Sequence, residues 1–144
     1  IRDYKVTGVQ TCALPISEVS PVKDDILFPG FVPTKSLPLL YSGCDLMVFP
    51  SLFEGFGFPI IEALACGAAV ICAKGSSMSE LAGDMIPTFD PWDPNDLFGA
   101  MERAVSQERN AEQRAQGMEY AQTFNWRSTA RRVMEIYRSV AGSM

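Results

Sequence analysis

Short, wholly apolar runs alternate along this chain with stretches in which apolar residues return every three or four positions. The runs are Ile26-Leu27-Phe28, Leu46-Met47-Val48-Phe49, Ala69-Val70-Ile71-Cys72 and the weaker Met85 to Phe89. Pro or Gly follows each within three residues, so the runs predict short strands entering turns, buried on both faces. Between them, Leu37, Leu40 and Tyr41 predict a short helix within Pro33 to Ser42. Pro59 suits the first turn of a second helix, where its missing N–H costs nothing. Ile60, Ile61, Leu64 and Ala65 give that helix its buried face, and Gly67 ends it. A short helix is expected around Ser79 to Ala82. A longer one is capped by Asn95 or Asp93, with Leu97, Met101, Ala104 and Val105 inward. Two more follow, near Ala111 to Gln122 and after Trp126, the last with Ala130, Val133, Tyr137 and Val140 on one stripe. Strands alternating with helices predict an α/β fold: a parallel sheet covered on both faces, then C-terminal helices.

Composition narrows the chemistry. The 144 residues are 47% hydrophobic and 20% charged, enough apolar side chain for a real core. The net charge of −5 argues against a polyanionic partner, so no nucleic acid is expected. There is no histidine, which removes histidine bases, Ser-His-Asp systems and histidine metal sites. The most apolar stretch, Phe58 to Ala73, is broken by Pro59, Glu62 and Gly67, so no membrane span is expected. Cys12, Cys44, Cys66 and Cys72 form no C-x-x-C pair; they read as reduced residues of a cytoplasmic protein, and no metal site is assigned.

In open parallel sheets, ligands bind outside the carboxyl ends of the strands. The loop after Phe49 lies at such an end and reads Ser51-Leu52-Phe53-Glu54-Gly55-Phe56-Gly57-Phe58. Gly55 and Gly57 lack Cβ atoms, so a ligand can approach the backbone closely. The next helix would offer N–H groups and a positive dipole end to a diphosphate. Glu62, expected in its first turn, can accept hydrogen bonds from two adjacent hydroxyls, as a ribose offers. Glu54, nearer the loop tip, can meet the hydroxyls of a sugar.

The segment FPSLFEGFGFPIIEALACGAAVI resembles the Glu-x7-Glu region of retaining glycosyltransferases with the GT-B fold, above all family 4. Phe28-Pro29-Gly30-Phe31-Val32 is similar to that family's strand and nucleobase loop. Leu37-Pro38 through Tyr41, with Cys44-Asp45, is similar to its "LP-LY-AD" segment. Ser79-Glu80-Leu81-Ala82-Gly83-Asp84 resembles its "PE-v-GD" element, with Ser79 where proline is usual. Phe124-Asn125-Trp126 resembles its late "F-x-W". The resemblance implies that Glu62 binds the nucleotide ribose and that Glu54 contacts and orients the donor sugar as the catalytic residue. It implies backbone contacts from Gly55, Phe56 and Gly57 to sugar and diphosphate, with Phe31 and Val32 flanking the base. The implied reaction transfers a sugar from a UDP- or GDP-sugar donor to a sugar or lipid-linked acceptor, with retention and without a cofactor. Mannose and glucose are the sugars it suggests.

Residues 1–16, IRDYKVTGVQTCALPI, resemble the in-frame translation of a sequencing-adapter oligonucleotide. Residues 17–144 then read as a truncated nucleotide-sugar-binding domain, and without Arg2, Lys5 and Asp3 its net charge is one unit more negative. In a Rossmann-like order of six strands, the runs here resemble the third to the sixth, so the first two are expected to be missing. The family's phosphate-binding Arg and Lys, upstream of the base loop, have no counterpart to assign, and its acceptor-binding N-terminal domain is expected to be missing as well. The chain alone is therefore expected to be marginally stable and inactive.

Plainer roles stand beside these. Glu54 taken alone reads most often as a solvated loop charge, and Gly55 and Gly57 as plain turn glycines. Lys74 is expected to face solvent, Trp126 to anchor packing, and Arg131, Arg132 and Arg138 to form the wet face of the last helix. Two other functions stay open. One is a non-catalytic nucleotide-sugar-binding domain. The other is a glycoside hydrolase using Glu54 and Glu62 as a carboxylate pair, although a glutamate at a helix start suits binding better than acid catalysis. An epimerase on the same fold is a further enzyme reading.

Overall fold

A computed structural model describes residues 17–107 and 111–142. The adapter-like segment, residues 1–16, and with it Cys12, lies outside the described residues. The chain forms two compact units, Ile1–Pro33 and Thr34–Met144.

In the first unit, Lys23–Asp25 forms a 3-10 turn, and Gly30 takes a left-handed φ of 63°. The strand expected at Ile26-Leu27-Phe28 does not form. Ile26 is extended, but its N–H donates to the carbonyl of Lys23 at 3.2 Å and closes the turn. Among the described residues no backbone ladder pairs with this run, and a strand exists only through such a ladder.

The second unit carries a parallel sheet in the order β1-β2-β3: β1 (Met47–Phe49), β2 (Val70–Ala73) and β3 (Thr88–Phe89). Met47 pairs with Val70, and Cys72 with Thr88. The helices are α1 (Leu37–Gly43), α2 (Phe58–Ala65), α3 (Ser76–Ala82), α4 (Pro94–Ser106), α5 (Ala111–Thr123) and α6 (Trp126–Ala141). The strand expected from Met85 onward is only two residues long. The N–H groups of Met85 and Ile86 donate to the carbonyl of Ala82 and close the turn after α3.

All four residues of β2 are buried, as a continuously apolar central strand predicts. Their alternation divides the core in two. Val70 and Cys72 face one layer with Ile60, Leu64, Met78, Leu81 and Ala121, drawn from α2, α3 and α5. Ile71 and Ala73 face the other with Phe89 and Ala100, where α4 covers the sheet. Small residues let α5 approach: Gly117 and Ala121 are both buried.

Helix ends follow the sequence closely. Pro59 sits in the first turn of α2. At its other end Gly67, with φ 75°, donates to Leu64, and Ala68 donates to Ala63, at 2.9 and 3.0 Å. That pair of bonds is a Schellman cap, which requires a left-handed residue and so favours glycine. Asp93 caps α4 by accepting from the Asn95 N–H at 2.9 Å. Asn125 caps α6 by accepting from the Ser128 N–H at 2.9 Å.

Helix α6 departs from expectation in its packing. It forms as predicted, but none of its residues is buried, and Tyr137 on its apolar stripe is 65% exposed. Trp126 is 78% exposed and is not the packing anchor it was expected to be. Arg131, Arg132 and Arg138 are exposed, as expected of a wet face. Cys44, Cys66 and Cys72 are free thiols. No helix among the described residues is long and apolar enough to cross a membrane.

Candidate functional site

Because β1, β2 and β3 are parallel, the loops that leave them gather at one edge of the sheet. These are Pro50–Gly57 after β1, Lys74–Gly75 after β2 and Asp90–Asp93 after β3. Specific bonds tie them together. The Ser77 hydroxyl, on α3, donates to the backbone carbonyl of Glu54 at 2.8 Å and joins the first loop to the second. Lys74 ties the second to the elements flanking the third: its N–H donates to the carbonyl of Phe89, at the end of β3, at 2.8 Å, and its Nζ lies 3.7 Å from Asp96 Oδ2 on α4. Lys74 faces solvent as expected, beside this acidic partner.

The glycine loop is held from both sides. Gly57 is the N-cap of α2, with φ 93° and ψ 45°. A side chain there would sit in a left-handed conformation, which explains the glycine. Gly55 has no such backbone demand, and a Cβ built on it meets nothing within 4 Å. Its missing side chain keeps the loop's outer face open. Phe56 points its ring into an aromatic series instead. It lies 4.8 Å from Phe58 and 5.9 Å from Phe124, which lies 5.2 Å from Tyr120. The Tyr120 hydroxyl donates to the carbonyl of Leu81 at 2.7 Å and anchors the series to the core layer. Phe56, Phe58 and Phe124, with Ile61 and Trp126, also line an apolar cleft of about 380 Å³ beside the loop.

The two glutamates have different surroundings. Glu54 is half-buried, and its Oε1 accepts from the Ser51 hydroxyl at 3.0 Å, so it is a held side chain and not a solvated loop charge. Glu62 is exposed and is the fifth residue of α2; the expected first-turn position is corrected, since the first turn holds no acid. The helix begins at Phe58, one residue before Pro59, and the count from there puts Glu62 in the second turn. Its Oε2 accepts from the Tyr41 hydroxyl of α1 at 3.2 Å. Burial, then the charge of Glu62, pushes the Tyr41 phenol up to about 12, so it stays a donor at neutral pH. Burial likewise pushes the Cys72 thiol up to about 11.

The structure thus gathers Glu54, Gly55, Phe56 and Gly57 on one loop and Glu62 on the helix it feeds. Phe31 and Val32 belong to the first unit. Sequence reasoning missed Tyr41, Ser51, Ser77 and Tyr120 as partners of the site. Tyr41 and Tyr120 carry polar tips on otherwise inward-facing positions, and a buried tyrosine hydroxyl usually needs a partner. Nothing local in the sequence marks Ser77, which meets Glu54 across 23 residues.

The chain thus carries a parallel α/β sheet with a glycine loop and two carboxylates at its carboxyl edge, and its architecture matches GT-B structures. The family model "Glycosyl transferases group 1" matches residues 17–124, and the chain belongs to that family. It is 37% identical over 114 residues to the serotype-specific mannosyltransferase WbdA of Escherichia coli, covering 78% of this chain and 14% of that protein. Sucrose-phosphate synthase from Thermosynechococcus elongatus superposes with a TM-score of 0.80 at 26% identity, over 94% of this chain and 35% of that one. The catalytic domain of starch synthase IV from Arabidopsis thaliana, bound to ADP and acarbose, gives 0.65 at 25% identity, over 92% and 30%. The chain therefore spans about a third or less of the length of these relatives.

Proposed function

We propose that this chain is the donor-binding part of a retaining glycosyltransferase that moves a sugar, with mannose favoured, from a nucleotide donor to an acceptor hydroxyl. The observation that carries the reading is the placement of Glu62 on the helix fed by the Glu54-Gly55-Phe56-Gly57 loop, at the carboxyl edge of a parallel sheet. The kinship with a mannosyltransferase and with a starch synthase bound to ADP supports a nucleotide-linked sugar as ligand. Glu62 binds the ribose hydroxyls. Glu54, steadied by Ser51, contacts the donor sugar and orients the anomeric carbon for transfer. Backbone N–H groups of Gly55, Phe56 and Gly57 stabilise charge on the departing diphosphate. Transfer itself belongs to the longer parent protein, because acceptor contacts and further phosphate-binding cations come from outside this chain; the chain alone binds but does not transfer. UDP and GDP are the donor nucleotides to test, and a sugar or lipid-linked hydroxyl is the acceptor.

Calorimetric titration with UDP and with GDP tests the reading directly. One of them is expected to bind, and Glu62→Ala is expected to weaken it about tenfold or more through loss of a charged hydrogen bond to the ribose. Unchanged affinity in that variant would remove the ribose role. Membership of a glycosyltransferase family displaces the hydrolase alternative. A non-catalytic binding domain is distinguished in the parent protein, where Glu54→Gln abolishes sugar transfer only if transfer occurs.

A further inference from the structure

An exposed glutamate on a helix surface samples many rotamers, and a ligand that needs one of them must bear the cost of ordering it. Glu62 is exposed, yet its Oε2 accepts from the Tyr41 hydroxyl at 3.2 Å. Tyr41 is itself fixed. It lies in α1, half-buried, with its ring packed against the core layer that contains Ile60 and Leu64. The Cys44 thiol donates to the Tyr41 carbonyl at 3.3 Å and helps hold the end of α1. A rigid phenol therefore reaches from one helix to the carboxylate of the next. The carboxylate keeps acceptor capacity after that bond, because its two oxygens offer about four lone-pair sites.

We propose that Tyr41 is a positioning residue for nucleotide binding: its hydroxyl fixes the Glu62 carboxylate in the orientation that receives the two ribose hydroxyls. The inference rests on the reading of Glu62 as the ribose ligand. It adds a residue from a different helix, so that the ribose site is a two-helix device and not a feature of the glycine loop alone. The phenol remains protonated throughout the neutral range, which makes it a constant donor and not a switch.

The test uses the 144-residue chain, with UDP, GDP and their 2′,3′-dideoxy counterparts as calorimetric probes. The variants are Tyr41→Phe, Glu62→Ala and the double substitution. Tyr41→Phe keeps the ring and its packing and removes only the hydroxyl. It is expected to weaken the preferred ribonucleotide about fivefold to tenfold, from renewed rotamer freedom at Glu62. The dideoxy counterpart is expected to bind as tightly to Tyr41→Phe as to the unsubstituted chain. In the Glu62→Ala background, Tyr41→Phe is expected to add nothing. Equal weakening of ribo and dideoxy ligands by Tyr41→Phe would mean a merely structural role and overturn the inference. So would a full ribose preference retained in Tyr41→Phe while Glu62→Ala loses it; that outcome leaves the ribose reading standing. Unchanged ribose preference in Glu62→Ala, or failure of both diphosphates to bind the unsubstituted chain, would instead overturn the reading of the site and the inference with it.

Discussion

Gly57 and Gly55 stand two residues apart and should respond in opposite ways to the same methyl group. At Gly57 the backbone has φ 93°, and an alanine there bears the left-handed penalty of about 1–2 kcal/mol. Space is not the obstacle: the added Cβ would meet Ile60 Cδ1 and Leu81 Cδ2 at 3.4 Å, ordinary van der Waals separation. Burying that methyl returns at most about 0.8 kcal/mol. The net destabilisation expected of Gly57→Ala is therefore about 1 kcal/mol. With a urea slope of about 2 kcal/mol per molar, the midpoint falls by roughly 0.5 M. At Gly55 φ lies outside the left-handed range and the Cβ would meet nothing within 4 Å. Gly55→Ala should stay within about 0.5 kcal/mol of the parent. Yet its methyl occupies the open face of the loop and should weaken nucleoside diphosphate binding. Urea titrations followed by far-ultraviolet circular dichroism measure the first effect, and calorimetry the second. A Gly57→Ala midpoint equal to or above the parent's would refute the backbone account. A Gly55→Ala variant that binds as tightly as the parent would refute close approach of ligand to the loop.

Other consequences follow from the same geometry. Phe124→Ala removes edge-to-face contacts to Phe56 and Tyr120; it should cost about 1–2 kcal/mol and raise hydrogen exchange across residues 51–57, whereas unchanged loop exchange would mean that the aromatic series does not hold the loop. Stability should fall in alkali: Cys72 and Tyr41 have folded pKa values of about 11 and about 12 against ordinary values of 9.0 and 10.0, so the folded state retains protons that the unfolded chain releases. Their contributions are complete below pH 9 and pH 10 respectively and decline as pH rises through each window. Cys72→Ala and Tyr41→Phe should each flatten part of that decline in midpoint-against-pH curves, and an unaltered slope in both would contradict the assignment.

Local patterns carried most of the fold. Proline within the first turn of α2, Gly67 beyond its end, Asp93 before α4 and Asn125 before α6 all act at the positions where backbone chemistry requires them. The apolar runs that became strands are those with a neighbour in the ladder; Ile26-Leu27-Phe28 is equally apolar but has no paired edge among the described residues, and composition cannot supply one. Helix α6 shows the same limit in another form. Its stripe of Val133, Tyr137 and Val140 predicts a helix correctly, but periodicity says nothing about what covers the stripe, and here all three are exposed. At the site, spacing along one segment brought Glu54, Gly55, Gly57 and Glu62 into view. The partners that fix them come from elsewhere in the chain: Tyr41 from α1 and Ser77 from α3. Contacts across such separations depend on how helices pack, and a local pattern does not contain that information.

Glu62 lies just past the first turn of α2, and this changes which forces can orient its carboxylate. In the first turn of α2, unpaired backbone N–H groups and the helix dipole would both act on it. The dipole's influence falls off beyond that turn, and backbone N–H groups further along bond within the helix. A side chain in the second turn lies beyond those groups, and Glu62 takes its donor from another element, the Tyr41 phenol of α1. The orientation of the proposed ribose ligand therefore depends on the packing of α1 against α2, because Tyr41 is held by the layer that contains Ile60 and Leu64. Glu54 has a separate arrangement: Ser51 within its own loop, and Ser77 on its backbone carbonyl. The two carboxylates are consequently set by different parts of the core, one by the seating of α1 and the other by the start of α3. A change in either packing would disturb one glutamate and leave the other in place, so that the proposed sugar contact and the proposed nucleotide contact can be perturbed separately.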